Sequence, residues 1–200
     1  MSAETGDAAE LLVGLFQNGK FSNGYSSLSN VASALAAIKE AHHFYPVLFY
    51  FRFREPYYAL SRAMLITLDA ASLIRAALDD EETAWLKDST AVRQLWSISL
   101  MLLTTVSETF LDVGPHSARA PQADERAPWR ARYLAALHRL AQAGLPLRKD
   151  EEVGAEAYIS QRSAWDHLIT ALAPAMAYSL PEIDPAAKLR EAARRNAPQT

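Results

Sequence analysis

Two hundred residues, half of them hydrophobic and 22% charged, have a globular composition that excludes a disordered or collagen-like chain and leaves length for a sizeable core without disulfide or metal. The net charge of -3 lacks the basic field of a nucleic-acid binder. Cysteine is absent, which removes disulfide frameworks, thiolate nucleophiles and cysteine-ligated zinc together and suits a reducing compartment.

The opening residues, MSAETGDAAELLVGLFQNGK, have neither a basic start nor a small-residue cleavage site, so no secretory signal is expected and the cytoplasm is the expected location. Asp7 is placed to cap a first helix reaching Gln17, with Asn18 and Gly19 ending it. From Ser26 to His43, Leu28, Val31, Leu35 and Ile38 recur at three- and four-residue intervals and predict a second helix. Pro46 and Pro56 then bracket VLFYFRFRE, whose content suits a strand. No second strand pairs with it, so an extended buried segment or a single helical turn is expected. Pro56 suits a first helical position, and Tyr57 to Leu78 read as a long buried helix. After the acidic elbow Asp79 to Glu82, Asp88 or Ser89 can cap a helix to Val113, stopped by Gly114 and Pro115. Its uncharged stretch from Gln94 to Ser107 is shorter than the roughly 18 to 20 residues a bilayer crossing needs, so a core helix and no direct membrane insertion are expected.

Residues 114–128 contain three prolines and no Leu, Ile, Val or aromatic, the composition of a linker. A helix from Trp129 to Ala143 follows, then one from Glu151 to Tyr178 that Pro174 should kink, and Asp184 with Pro185 begins a short polar helix. The expected fold is an all-α irregular bundle of about six to seven helices. It forms a single domain over 1–200, with N-terminal helices in 1–113, the linker at 114–128 and C-terminal helices in 129–200.

Between Phe44 and Tyr58 lie eight of the chain's fifteen Phe and Tyr residues. Two readings are open: ordinary core, or an interface where aromatics and arginine concentrate. The candidate interface residues are Phe49, Phe51, Tyr57 and Tyr58. Asp69, inside AMLITLDAASLI, needs a partner to be tolerated on an apolar helix. Arg52, Arg54, Arg62 and His42 are available, and Arg52 is the preferred member of a buried polar pair with Asp69. No short signature of a hydrolase, a phosphate-binding loop or a dinucleotide site occurs, and the histidines do not stand at helical metal-site spacing. No catalytic residue, metal or cofactor is therefore assigned. His42, Asp166 and His167 are the acid–base candidates if the chain is an enzyme after all.

Glu40, His42, Tyr45, Pro46, Val47, Leu48, Tyr50, Phe51 and Arg52, then Ala59, Leu60, Leu68, Asp69 and Ala70, form the pattern ExHxxYPVLxYFR followed by an AL…LDA helix. This resembles the cytosolic carboxy-terminal region of bacterial two-transmembrane, pore-loop potassium-channel-family proteins. Gly144 to Arg148, then Ala155, Glu156, Tyr158, Arg162 and Trp165, are similar to that region's closing helices. The resemblance implies a helical domain beneath a pore at the inner membrane, a regulatory and assembly role, and partnership with further copies or with the pore domain of the same protein. It implies no catalytic residues. The chain itself carries no filter: the string Thr104, Thr105, Val106 continues into Ser107 and Glu108 where a filter needs glycines. A stand-alone helical interaction protein is the alternative.

Overall fold

The structure is a computed structural model that describes residues 7–111, 121 and 123–184. It is all-α, with nine α-helices and two 3₁₀ turns among the described residues. α1 (Ala8–Leu15) starts where expected, the Asp7 carboxylate accepting the Glu10 N–H at 2.9 Å. It ends in a two-residue turn, Asn18 and Gly19 at φ 54° and 74°, across which Gln17 and Lys20 exchange backbone hydrogen bonds of 2.9 and 3.0 Å. Both turn positions need the left-handed region, which Asn and Gly reach at least cost. α2 (Gly24–Phe44) follows.

The proline-bracketed segment makes one 3₁₀ turn at Pro46–Tyr50 and a second at Pro56–Tyr58, with extended or bent chain between. The expectation of a helical turn holds, but the expectation of burial does not, because most of its side chains face solvent. The helix expected from Tyr57 begins instead at Leu60, after Ala59 adopts extended backbone, and runs as α3 (Leu60–Ala77). Fourteen of its 18 residues are buried, so α3 is the axis on which the rest packs. Two of its hydroxyls are bonded: Ser72 donates to Leu68 O at 2.8 Å, and Thr67 accepts from Ser99 at 3.0 Å.

A short α4 (Ala84–Lys87) leads to α5 (Thr90–Leu111), where Ser89 Oγ accepts the Val92 N–H. α5 buries one face, including Leu95, Leu102, Leu103 and Val106, against α2 and α3, and no described helix is long and apolar enough to cross a membrane. α6 (Ala123–Gln142) starts earlier than the composition suggested, so residues 123–128 of the expected linker are helical. Pro128 is accommodated inside α6, and Arg126 reaches Glu156 on the next helix at 2.5 Å.

α7 (Glu151–Ser163) is capped by Asp150, and α8 (Asp166–Ala175) follows after a break at Ala164 and Trp165. The expected single helix over 151–178 is therefore divided well before Pro174, which stands in the last turn of α8. The break turns Trp165 fully into the core. α9 (Leu180–Ile183), unforeseen, is closed by a capping box between Ser179 and Glu182. The helix expected after Asp184 lies outside the described residues.

α3 packs on α1, α5, α7 and α8, and α6 packs on α1 and α7, so one hydrophobic cluster runs from Ala8 to Ile183. The chain ends of α3 and α6 are tied by backbone: Asp79 N–H to Pro146 O at 3.0 Å and Arg148 N–H to Ala77 O at 2.8 Å. Asp7 also receives Arg139, linking α1 to α6.

Candidate functional site

Two features stand apart from ordinary packing. The first is a buried charge centre on the inner face of α3. Asp69 is 2% exposed, and both of its carboxylate oxygens are fully engaged. Oδ2 accepts Nε and Nη2 of Arg132 at 2.9 and 2.7 Å; Oδ1 accepts the Tyr158 hydroxyl and Nη1 of Arg162, the latter at 3.0 Å. Each arginine then holds a second carboxylate. Arg132 Nη1 donates to both oxygens of Asp184 at 2.7 and 2.8 Å, and Arg162 Nη2 meets Asp166 at 2.6 Å. Three carboxylates thus surround two guanidiniums, drawn from α3, α6, α7, α8 and the end of α9.

Burial by itself opposes charge on Arg132, but Asp69 and Asp184 outweigh it and hold the pKa well above the ordinary guanidinium value. Burial opposes charge on Arg162 too, and Asp166 and Asp69 override it. Desolvation pushes the Tyr158 phenol upward, with Asp69 adding to the shift, so the phenol stays a proton donor. Around this core the Arg162 guanidinium lies 4.6 Å from the Trp165 ring centroid, and Tyr133 sits 5.4 Å from Tyr158. Each Asp69 oxygen thus accepts two hydrogen bonds. The centre is a clamp that fixes the relative positions of five helices.

Here the sequence expectation is corrected. Asp69 is indeed a buried, paired carboxylate, but Arg52 is not its partner. Arg52 lies outside, donating to Glu182 at 3.0 Å and stacking 5.1 Å above Tyr178. Periodicity places Asp69 on an apolar face but carries no information on how α6 docks, and so does not single out Arg132. The Arg162 and Asp166 spacing of four residues was the legible signal for the other arm.

The second feature is the band from Phe44 to Tyr58. Seven of its aromatic side chains are more than half exposed, up to 74% at Tyr50 and 71% at Phe44. Phe51, Tyr57 and Tyr58, three of the four candidate interface residues, belong to it. Phe49 does not: it is 4% exposed and stacks on Phe110 of α5 with ring centroids 4.0 Å apart and planes within 3°. Phe49 is the anchor that lets its neighbours face outward.

The backbone beneath the band is equally fixed. The Phe53 N–H donates to the Tyr178 hydroxyl at 2.8 Å, which in turn donates to Phe53 O at 3.1 Å. Arg62 donates to Ile183 O at 3.3 Å and lies 5.7 Å from the Tyr57 ring.

Of the acid–base candidates, Asp166 is engaged by Arg162 in the charge centre, and His42 is on α2, with Nδ1 buried and unbonded and its pKa lowered by desolvation. His167 follows Asp166 at the start of α8. An open groove of 340 Å³ runs along α5 past Trp96, Leu100, Met101 and Thr104. Comparison with protein-family models, curated proteins and solved structures returns no match to this chain.

Proposed function

We propose that this chain is a helical assembly and regulatory module of a potassium-channel-like protein, with the Phe44–Tyr58 band as its docking face. One observation carries the proposal: a run of aromatic residues whose backbone is pinned to the core while seven of its rings stand in solvent. Monomeric proteins rarely keep an apolar patch of this kind without a partner for it.

The residues that carry the family resemblance support the same reading. Tyr45, Val47, Tyr50, Phe51 and Arg52 lie in the band, and Asp69, Tyr158, Arg162 and Trp165 meet in or against the charge centre. A docking surface joined to a rigid helical body can transmit strain: a neighbouring subunit that favours one packing of the helices biases whatever the module is attached to.

Fractionation of the native source with an antibody against this chain tests the proposal. A channel module is expected in the membrane fraction, released by detergent, at a mass larger than the 22.1 kDa of these residues. An antigen of that mass found wholly in the supernatant would replace it with a stand-alone interaction protein.

A further inference from the structure

We infer that the Phe44–Tyr58 band is a two-fold interface with a second copy of this chain, Arg54 of each copy lying against Glu55 of the other. The inference rests on the reading of the band as a docking face and names its occupant.

Area is the first argument. An aromatic side chain removes roughly 150 to 250 Å² from water when fully buried, so seven that are more than half exposed, with Val47 and Leu48 beside them, present on the order of 600 to 1,000 Å². The largest apolar patch of an ordinary monomer is about 300 to 600 Å², whereas a stable interface takes about 800 Å² from each partner. The band is the size of one half of a dimer contact.

Charge is the second argument, and it selects the partner. The band contains three charged residues, Arg52, Arg54 and Glu55. Arg52 is engaged within the chain by Glu182. Arg54 and Glu55 are exposed, and neither makes an ion pair among the described residues. What remains unpaired in the band is one cation beside one anion. An anionic membrane would be met by an excess of cations and repelled by Glu55; a strongly charged peptide would require a face of one sign. A face carrying both signs once is complementary to itself, since a two-fold axis sets residue i against j and j against i.

Preorganisation is the third. Phe49 on Phe110 and the Tyr178 hydroxyl on Phe53 hold the band before any partner arrives, which lowers the ordering cost of association.

Sedimentation velocity of the purified full chain over about 1 to 200 µM is the direct test. A reversible dimer is expected, and Phe51→Ser should weaken it by at least about tenfold while leaving the helical circular dichroism intact. Arg54→Glu and Glu55→Arg should each weaken it, by creating two like-charge contacts, and the double variant Arg54→Glu/Glu55→Arg should restore it. A chain that stays monomeric across the range, a double variant no tighter than the singles, or a monomer that instead sediments with phosphatidylglycerol vesicles each overturns the inference. The fractionation experiment separates its failure from that of the function: membrane-bound antigen with a monomeric purified chain refutes the two-fold contact alone, and a dimeric chain confined to the supernatant refutes the channel role alone.

Discussion

The charge centre and the aromatic band invert the usual distribution of side chains. Inside, where apolar groups belong, α3 carries a carboxylate surrounded by two guanidiniums and a phenol; outside, where charges belong, seven aromatic rings face water. Both arrangements need support from elsewhere in the fold. The buried ions are tolerable because every oxygen of Asp69 has a donor, and the exposed rings are held in place because Phe49 and the Phe53 backbone are locked to the core. A buried charge left without its partner is a large folding defect, whereas an exposed ring removed is a small one. The same kind of substitution should therefore separate the two regions cleanly.

Asp69→Ala tests the inner region most severely. It leaves the Tyr158 hydroxyl and three N–H groups of Arg132 and Arg162 buried without their acceptor, and a loss of about 3 to 5 kcal/mol is expected from urea unfolding. Asp184 and Asp166 each retain one arginine, so a loss below about 1 kcal/mol would show that these outer carboxylates carry the centre and Asp69 does not.

Gly154→Ala probes how tightly α7 is pressed on α3 and α6 beside that centre. A Cβ there would lie 2.0 Å from the Tyr133 hydroxyl oxygen and 2.9 Å from Ala76 O, closer than real contacts allow. Overpacking of this kind costs roughly 1 to 3 kcal/mol. Combining it with Tyr133→Phe removes the nearest atom and should recover part of the loss, since the Tyr133 to Ala76 hydrogen bond is long at 3.4 Å. No recovery would place the strain on the Ala76 carbonyl.

How much of each region can be read from the sequence follows from the range of the interactions that make it. Caps and turns are local, so Asp7, Asn18, Gly19 and Ser89 announce their roles. The helical character of α2 follows from spacing, and that of α3 and α5 from an apolar composition between proline, capping and glycine signals. The break at Trp165 is not announced, because it is driven by burying a large side chain against distant helices, while Pro174, the conspicuous breaker, merely sits at a helix end. Asp69 could be recognised as needing a partner, but the choice among arginines depends on how α6 docks, a contact 63 residues away in sequence. Aromatic clustering was visible, yet composition cannot distinguish core from surface; Phe49 goes inward and Phe51 outward because Pro46 starts a 3₁₀ turn that rotates one ring onto Phe110.

Alkaline titration offers a milder lever on the inner region. Burial raises the Tyr133 phenol to about 12 and moves Tyr158 upward as well, against an ordinary value near 10. Above that ordinary value the unfolded chain releases these protons first, so folding stability is fully present below about pH 10 and falls as pH rises through the folded values. Urea midpoints measured from pH 8 upward should be flat and then decline beyond about pH 10, and Tyr158→Phe should flatten the decline. A slope unchanged by that substitution would move the linkage away from the charge centre.

The smallest expected effect on folding is the one that separates the two regions most sharply. Phe51 is 60% exposed and makes no ring contact among the described residues, so Phe51→Ser should change unfolding stability by no more than about 0.5 kcal/mol at concentrations where the chain is monomeric. Raising the protein concentration should then divide the two proteins. Association stabilises a folded chain by mass action, so the native sequence is expected to gain stability with concentration while the Phe51→Ser chain does not. A variant that lost several kcal/mol even when dilute would mean that Phe51 packs within its own chain, and the band would then have to be read as an extension of the core that Phe49 anchors.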